Sequence, residues 1–303
     1  MDQTTILTKK KVTDIIPDYF TGRKLKDGLF LAAVIIFSLI TISMVFLIIG
    51  SMIFKGYHQI NWAFFTQTAP DTFEAMMAKM SGKIIPGGIV NGITGSLFLV
   101  GIASLIAIPF GVLIGVYLYE NSKKRYAGII RDITDVLQGV PSIVVGLIVY
   151  LWVVVHITRG YSVLAGSVAL AIMMLPLIIR STEESLKMIP DSLKEAAIAL
   201  GTPYYKVIFR VLIPTSFSGL MTGILLAISR ILGETAPLML TTLGNPAINW
   251  NISKPVSAVP LLIWQFYNDP NMVDLIWSST LFLMGFVLIL NLLAKWIAAK
   301  RKN

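Results

Sequence analysis

The sequence predicts an all-α membrane protein with six transmembrane helices, on three observations. Of its 303 residues, 55% are apolar and only 14% are charged, a balance too apolar for a water-soluble domain of that length. The mean hydropathy is +0.77. The charges are gathered between six uncharged windows, each close to or above the roughly 20 residues that a helix needs to cross the hydrocarbon core. Helices are the expected form because lipid offers no partner for a free backbone N–H or C=O.

The first window (28–54) has 27 residues behind a charged tail. That exceeds the about 7 to 15 residues of a signal-peptide core, so a retained helix is predicted. The second (84–119) is longer than one span, and its opening IIPGGIVNG reads as a loop or a re-entrant segment. In the third (136–158), Pro141 bends the chain, and Ser142 either offers its hydroxyl to a pore or returns it to its own helix. The fourth (160–179) carries Pro176 as a kink. The fifth (211–229) is continued by RILGETAPLML, which extends its helix from about Pro214 to about Leu240. The sixth is 275–294. Gly92, Gly95, Gly101, Gly219 and Gly223 are small enough to let helices approach closely. One membrane domain, 29–298, is predicted between a cytoplasmic N-terminal tail (1–28) and a C-terminal tail (299–303), with a cytoplasmic segment at 181–213.

Lysine and arginine set the orientation, because loops rich in them stay cytoplasmic. With both termini inside, 19 of the 25 basic residues fall on the cytoplasmic side and only Lys55, Lys79, Lys83, Arg159 and Lys254 fall outside. Arg230 alone lies within a span. The net charge of +9 is accounted for by this asymmetry and by anionic headgroups, which removes the reason to invoke nucleic acid. Outer loops 55–83 and 241–274 carry Trp62, Phe64, Phe65, Trp250, Trp264 and Tyr267. These are read as interfacial anchors, on the only sizeable surface for a substrate-delivering protein. PVSAVPLLIWQFY reads as an amphipathic helix lying on the membrane.

Chemistry of the enzymatic kind finds little support. The chain has no cysteine, no HExxH and two distant histidines, His58 and His156, which argues against a metal site and a membrane-embedded hydrolase. It has no G-x-x-x-x-G-K-[ST] loop, so any ATP is hydrolysed by another chain.

The segment 181–210 reads STEESLKMIPDSLKEAAIALGTPYYKVIFR. Ser192 and Glu195 have the spacing of a capping box, the following alanines favour a helix, and Gly201 suits a left-handed end. Thr202 then caps the next helix and Pro203 fills its first position. EAAIALG followed by VLIP resembles the EAA motif of ABC importer permeases, with Glu195, Ala196, Ala197, Gly201 and Pro214 on the motif's positions. Val211 and Ile213 stand where isoleucine and leucine are usual. The resemblance implies the type I importer (MetI-like) fold. It also implies that Glu195, Ala196, Ala197 and Gly201 dock on, and couple to, an ATPase dimer holding ATP and magnesium.

Three further stretches, VPSIVVGLIVY from Val140, RSTEESLKMIPDSLKEAAIALGTP from Arg180 and SGLMTGILLAISRILGETAPLM from Ser218, are similar to the phosphate-specific members of that family. The resemblance covers roughly 28–295. It implies inorganic phosphate as the cargo, a sister permease, and an external phosphate-binding protein. The residues themselves do not separate phosphate from sulfate or molybdate.

Arg230 and Glu234 are four apart, which on a continuous helix puts them on one face. A charge near the bilayer centre costs about 2.5 kcal/mol or more unless it faces a polar interior. Arginine's fixed fork of N–H donors suits a tetrahedral oxyanion, and Glu234 neutralises or positions it. Two readings stand: a substrate path or gate, or a salt bridge that locks helix packing. Pro237 cannot donate to the Gly233 carbonyl, so a kink is expected at Gly233 and Pro237. Arg180, at the inner end of the fourth span, either snorkels to the interface or lines an exit.

Overall fold

A computed structural model describes residues 19–300, with side chains for 26–297. Residues 1–18 and 301–303, most of both predicted tails, lie outside the described residues, as do the side chains of Arg23, Lys24 and Lys300. Every regular element among the described residues is helical. Five helices are long and apolar enough to cross a membrane, and a bent pair makes a sixth crossing if counted as one.

The chain divides into two bodies at Phe54 and Lys55. The first is dominated by α1 (Tyr19–Gly56), whose apolar side chains are exposed along its length, as a lipid-facing surface requires. Three of its hydroxyls turn back on their own helix: Thr41 donates to the Phe37 carbonyl, Ser43 to that of Ile40 and Ser51 to that of Ile48. A hydroxyl bonded in this way needs no partner from lipid.

The second body begins with two short helices, α2 (Trp62–Thr66) and α3 (Thr72–Met80). Asn61 caps α2 by accepting from the Phe64 N–H at 2.9 Å. Phe64 is fully buried, with Phe282 nearby, so it is a core residue and not the interfacial anchor the sequence suggests. Of IIPGGIVNG, residues 84–89 form a loop and VNG opens α4 (Val90–Glu120), a single long span.

α4 packs against α7 (Val163–Lys187). The Ser167 hydroxyl donates to the Leu99 carbonyl, Gly111 abuts Ile178 and Gly115 abuts Thr182. The numbers rise together, so the two helices run parallel. α10 (Ile213–Ile231) runs antiparallel to α7, with Gly219 against Ser185 and Gly223 against Ser181. These glycines let backbones approach, and van der Waals contact replaces the hydrophobic drive that lipid removes. Leu99, Ala103, Leu170, Met174, Ile178 and Ile231 fill the shared core. Gly101 has open space around it and takes no part in such packing.

Between α4 and α7 the chain forms α5 (Arg125–Gly139) and α6 (Ser142–Val149), which continues as a wider π-helix over Tyr150–Thr158. The axes of the two segments differ by 103°. The third window is therefore not one straight span. Its first residues belong to α5, and the chain turns at Val140 and Pro141, where the ring of proline excludes helical continuity. α7 continues through Pro176 to Lys187, well past the predicted end at Ile179, because Arg180 and Glu183 find partners inside the protein.

Two short helices, α8 (Asp191–Ala199) and α9 (Tyr204–Val207), precede α10. After α10 come α11 (Ala236–Thr241), α12 (Val259–Tyr267) and α13 (Val273–Lys300). α12 does not lie on the membrane: Val259, Pro260, Leu261, Leu262 and Phe266 are buried. The Ser96 hydroxyl of α4 accepts from the Val259 N–H at 2.9 Å, satisfying one orphan donor at the α12 start.

Candidate functional site

The helix predicted from Pro214 to Leu240 is broken. α10 ends at Ile231, residues 232–235 form a tight turn, and α11 starts at Ala236. The Gly233 N–H bonds the Arg230 carbonyl at 3.2 Å and the Glu234 N–H bonds that of Ile231 at 3.2 Å. Pro237 sits in the second position of α11, where its missing N–H costs nothing. The expected kink at Gly233 and Pro237 is thus a full interruption, and Arg230 and Glu234 do not share a helix face.

The closest approach of the pair, Arg230 Nε to Glu234 Oε1, is 4.0 Å, beyond hydrogen-bond length, so no bidentate clamp joins them. The Arg230 side chain is 44% exposed and that of Glu234 19%. An arginine so exposed at the end of a membrane helix requires water or a partner subunit beside it, since lipid there is costly.

α11 packs on α6 at very short range: a methyl group added to Gly146 would stand 2.7 Å from the Pro237 Cα. Its far end is pinned. The Thr241 carbonyl accepts from the Ser162 N–H, and the Thr242 hydroxyl donates to the Val256 carbonyl and accepts from the Val256 N–H. Ser142, half-buried at the start of α6, marks the 103° turn.

Arg180 lies elsewhere. It pairs with Asp135 of α5 at 3.1 Å. Its neighbour Ser181 meets Gly223, seven residues and about 10 Å of helix rise from Arg230. The fold therefore separates the two arginines by depth. Arg180 ties α7 to α5 and does not join the Arg230 turn.

At the same end, Glu183 is fully buried and receives Arg131 Nη2 at 2.7 Å and Lys187 Nζ at 2.6 Å. Arg131 also donates to the Leu118 carbonyl at 3.0 Å. One carboxylate thus joins α4, α5 and α7. The sequence reading missed it by ending the fourth span at Ile179, although the Glu183–Lys187 spacing was a signal for a continuing helix.

In α8, Glu195 and Ala196 are exposed and Ala197 is half-buried against Leu186, Ile189 and Val207. The expected Ser192–Glu195 capping box is absent. α8 begins at Asp191 after Pro190, with no side-chain cap, so Ser192 is already inside the helix. Gly201 stands at φ +73°, the left-handed conformation predicted for it. α9 starts at Tyr204, so Pro203 is its cap and not its first residue, and Thr202 makes no side-chain cap. Lys194 of α8 pairs with Glu120 at the end of α4, 2.8 Å away. Around this clamp Leu193, Ile198, Leu200 and Tyr205 are exposed.

Residues 107–303 match the family described as binding-protein-dependent transport system inner membrane component. The chain is 41% identical over 259 residues to the phosphate transport system permease protein PstA of Yersinia pestis, covering 84% of each chain. It is 36% identical to PstA of Haemophilus influenzae, covering 93% of this chain and 97% of that one. PstA 1 of Mycobacterium tuberculosis is 36% identical, with 72% of each covered. The fold is similar to an inward-facing structure of the MetNI methionine ABC transporter, at a TM-score of 0.60 and 18% identity, covering 70% of this chain and 94% of that one. With its membrane helices and these relatives, the chain is a multi-pass, non-enzymatic transporter component that belongs to the binding-protein-dependent transport system inner membrane component family, in its PstA group.

Proposed function

We propose that this chain is the permease half of an ABC importer that moves inorganic phosphate into the cytoplasm across the inner membrane. The observation that carries the reading is similarity to PstA proteins over nearly the whole chain. Its partners are a PstC-like sister permease, a PstB-like ATPase dimer holding ATP and magnesium, and an external PstS-like phosphate-binding protein. Both termini are cytoplasmic, as the 19 to 5 distribution of basic residues favours. α8 is the coupling element, with Glu195, Ala196, Ala197 and Gly201 at the ATPase groove and exposed Leu193 and Ile198 supplying apolar contact. Its motion passes to α4 through Lys194 and Glu120.

Arg230 and Glu234 act on the substrate path or its gate, supported by the exposure of Arg230 at a break between two helices. An arginine beside water offers the passing anion its full fork of donors. Ser142 at the start of α6 and Arg180 at the inner end of α7 are the further candidates along that path.

Uptake by the complete complex in proteoliposomes tests the function. ATP-dependent accumulation of labelled phosphate, competed by phosphate and not by sulfate or molybdate, is expected. Accumulation of sulfate or molybdate in its place would overturn the choice of cargo.

A further inference from the structure

A cleft of about 270 Å³ opens between the start of α3, the 244–246 loop, and α12 with the turn that follows it. Its lining includes Asp71, Thr72, Asn91, Asn245, Gln265 and Asp269. Asn91 is only 2% exposed. Its Nδ2 donates to the Asn245 carbonyl at 3.2 Å, which fixes the amide's orientation and leaves Oδ1 buried without a hydrogen-bond partner. A buried acceptor in that state is costly, and calls for an N–H or O–H donor from outside.

The other groups sharpen the demand. Gln265 Nε2 is directed to the Leu243 carbonyl and Asn245 Nδ2 to that of Pro255, so each of these amides has one of its two N–H donors engaged by the backbone. Asp71 and Asp269 bring two carboxylates, and Glu74 joins Asp71 in the adjoining depression. Lys79 donates to the Pro270 carbonyl at 2.6 Å and its charge reaches Asp269, so it offsets one of the carboxylates and leaves the other uncompensated. The cleft is therefore a set of acceptors with net negative charge. It repels phosphate and suits a cation that carries several N–H donors.

A bare metal ion fits less well. No group of three or more His, Cys, Asp or Glu among the described residues can hold one, and a cleft of about 270 Å³ is far larger than a bare ion. A long side chain with a cationic tip fills such a space. The orientation proposed above puts the cleft on the external face, where the binding protein arrives.

We propose that the cleft is a socket for a lysine or arginine side chain of the external phosphate-binding protein, with Asn91 Oδ1 and the carboxylates of Asp71 and Asp269 as its acceptors. The inference rests on the importer reading and its orientation. It adds that the permease recognises its delivering protein by charge at a place distinct from the substrate path.

The test uses the complete complex in proteoliposomes with ATP and magnesium inside and the binding protein titrated outside. Asp71→Asn combined with Asp269→Asn keeps the shapes, and asparagine at 269 still accepts the Asn271 N–H. This double variant is expected to raise the half-saturating concentration of binding protein about tenfold, to leave the maximal ATPase rate unchanged, and to flatten the salt dependence. Asp71→Lys is expected to raise it further. An unchanged half-saturation in the double variant, with wild type stimulated normally, overturns the socket. An external chelator that shifts wild type to the double variant's half-saturation also overturns it, in favour of a metal ion. A wild-type complex that the binding protein does not stimulate at all removes the importer reading and the socket with it.

Discussion

Arg230 and Glu234 stand 4.0 Å apart across a helix break, with the arginine half in the open. A pair locked for packing would be closer and drier. Arg230→Lys should therefore reduce phosphate uptake more than its conserved charge suggests, because an ammonium lacks the planar fork, and Arg230→Gln should nearly abolish it. The double change Arg230→Gln with Glu234→Gln removes both charges. Normal assembly with uptake still lost is expected, and uptake near wild type would assign the pair to packing alone. Glu183 is the opposite case: fully buried, and in contact with two cations at 2.7 and 2.6 Å. Glu183→Leu leaves Arg131 and Lys187 unpaired, at a cost of about 1 to 3 kcal/mol, below the range of a fully buried pair because both cations reach water. A lowered midpoint in thermal unfolding of the purified complex, with Glu183→Gln intermediate, is the expected result. Asp269 offers a pH test. The Asn271 N–H, at 2.9 Å, holds its carboxyl below the ordinary 3.8. A depressed carboxylate stabilises above its unfolded value and loses that contribution as pH falls through the folded one. Hydrogen exchange at the Asn271 amide, corrected for intrinsic rate, should stay constant from neutral pH to about 5 and accelerate only below about 4. Asp269→Asn should abolish that acceleration.

At the scale of elements, α8 and its turn are the part most legible in the sequence. Helix, left-handed glycine and second helix all follow from local residue chemistry, with boundaries shifted by one or two positions. Gly201 has φ +73° and open space where a side chain would go, so a substitution there acts on backbone conformation and on whatever docks outside. Gly201→Val should cost the turn about 1 kcal/mol or more, leave membrane insertion intact, and lower ATP-dependent uptake. Normal uptake with normal stimulated ATPase activity would exclude a coupling role for this turn. The α10–α11 break and the burial of α12 were harder to read. Both segments have the apolar composition of continuous or surface helices. What decides them is contact: Pro237 meets Gly146 of α6 and the α12 start meets Ser96 of α4, residues about 90 and 160 positions away in the chain.

For the whole molecule, orientation is the property that composition predicts most directly. Cysteines replacing Trp62 or Trp250, both well exposed, should be labelled by an impermeant thiol reagent in intact cells. One replacing Tyr204 should be labelled only after the membrane is opened. The native chain has no cysteine to confuse the result. Labelling at 204 in intact cells would reverse the proposed orientation and, with it, the external position of the acidic cleft.

By itself the sequence determined the membrane class, the approximate helix windows and the helix–turn–helix segment around Gly201. Hydropathy, basic-residue asymmetry and glycine or proline placement act locally, and lipid leaves the backbone little choice but to form helices. Only the tertiary structure decided where those helices stop and what their polar residues meet. Arg180 turned to Asp135, Glu183 became the buried tie among three helices, and Asn91 was left at the cleft beside α3 and α12 with an unanswered acceptor. Each outcome depends on a partner remote in the chain, and local periodicity carries no record of which remote groups a fold brings within hydrogen-bonding reach.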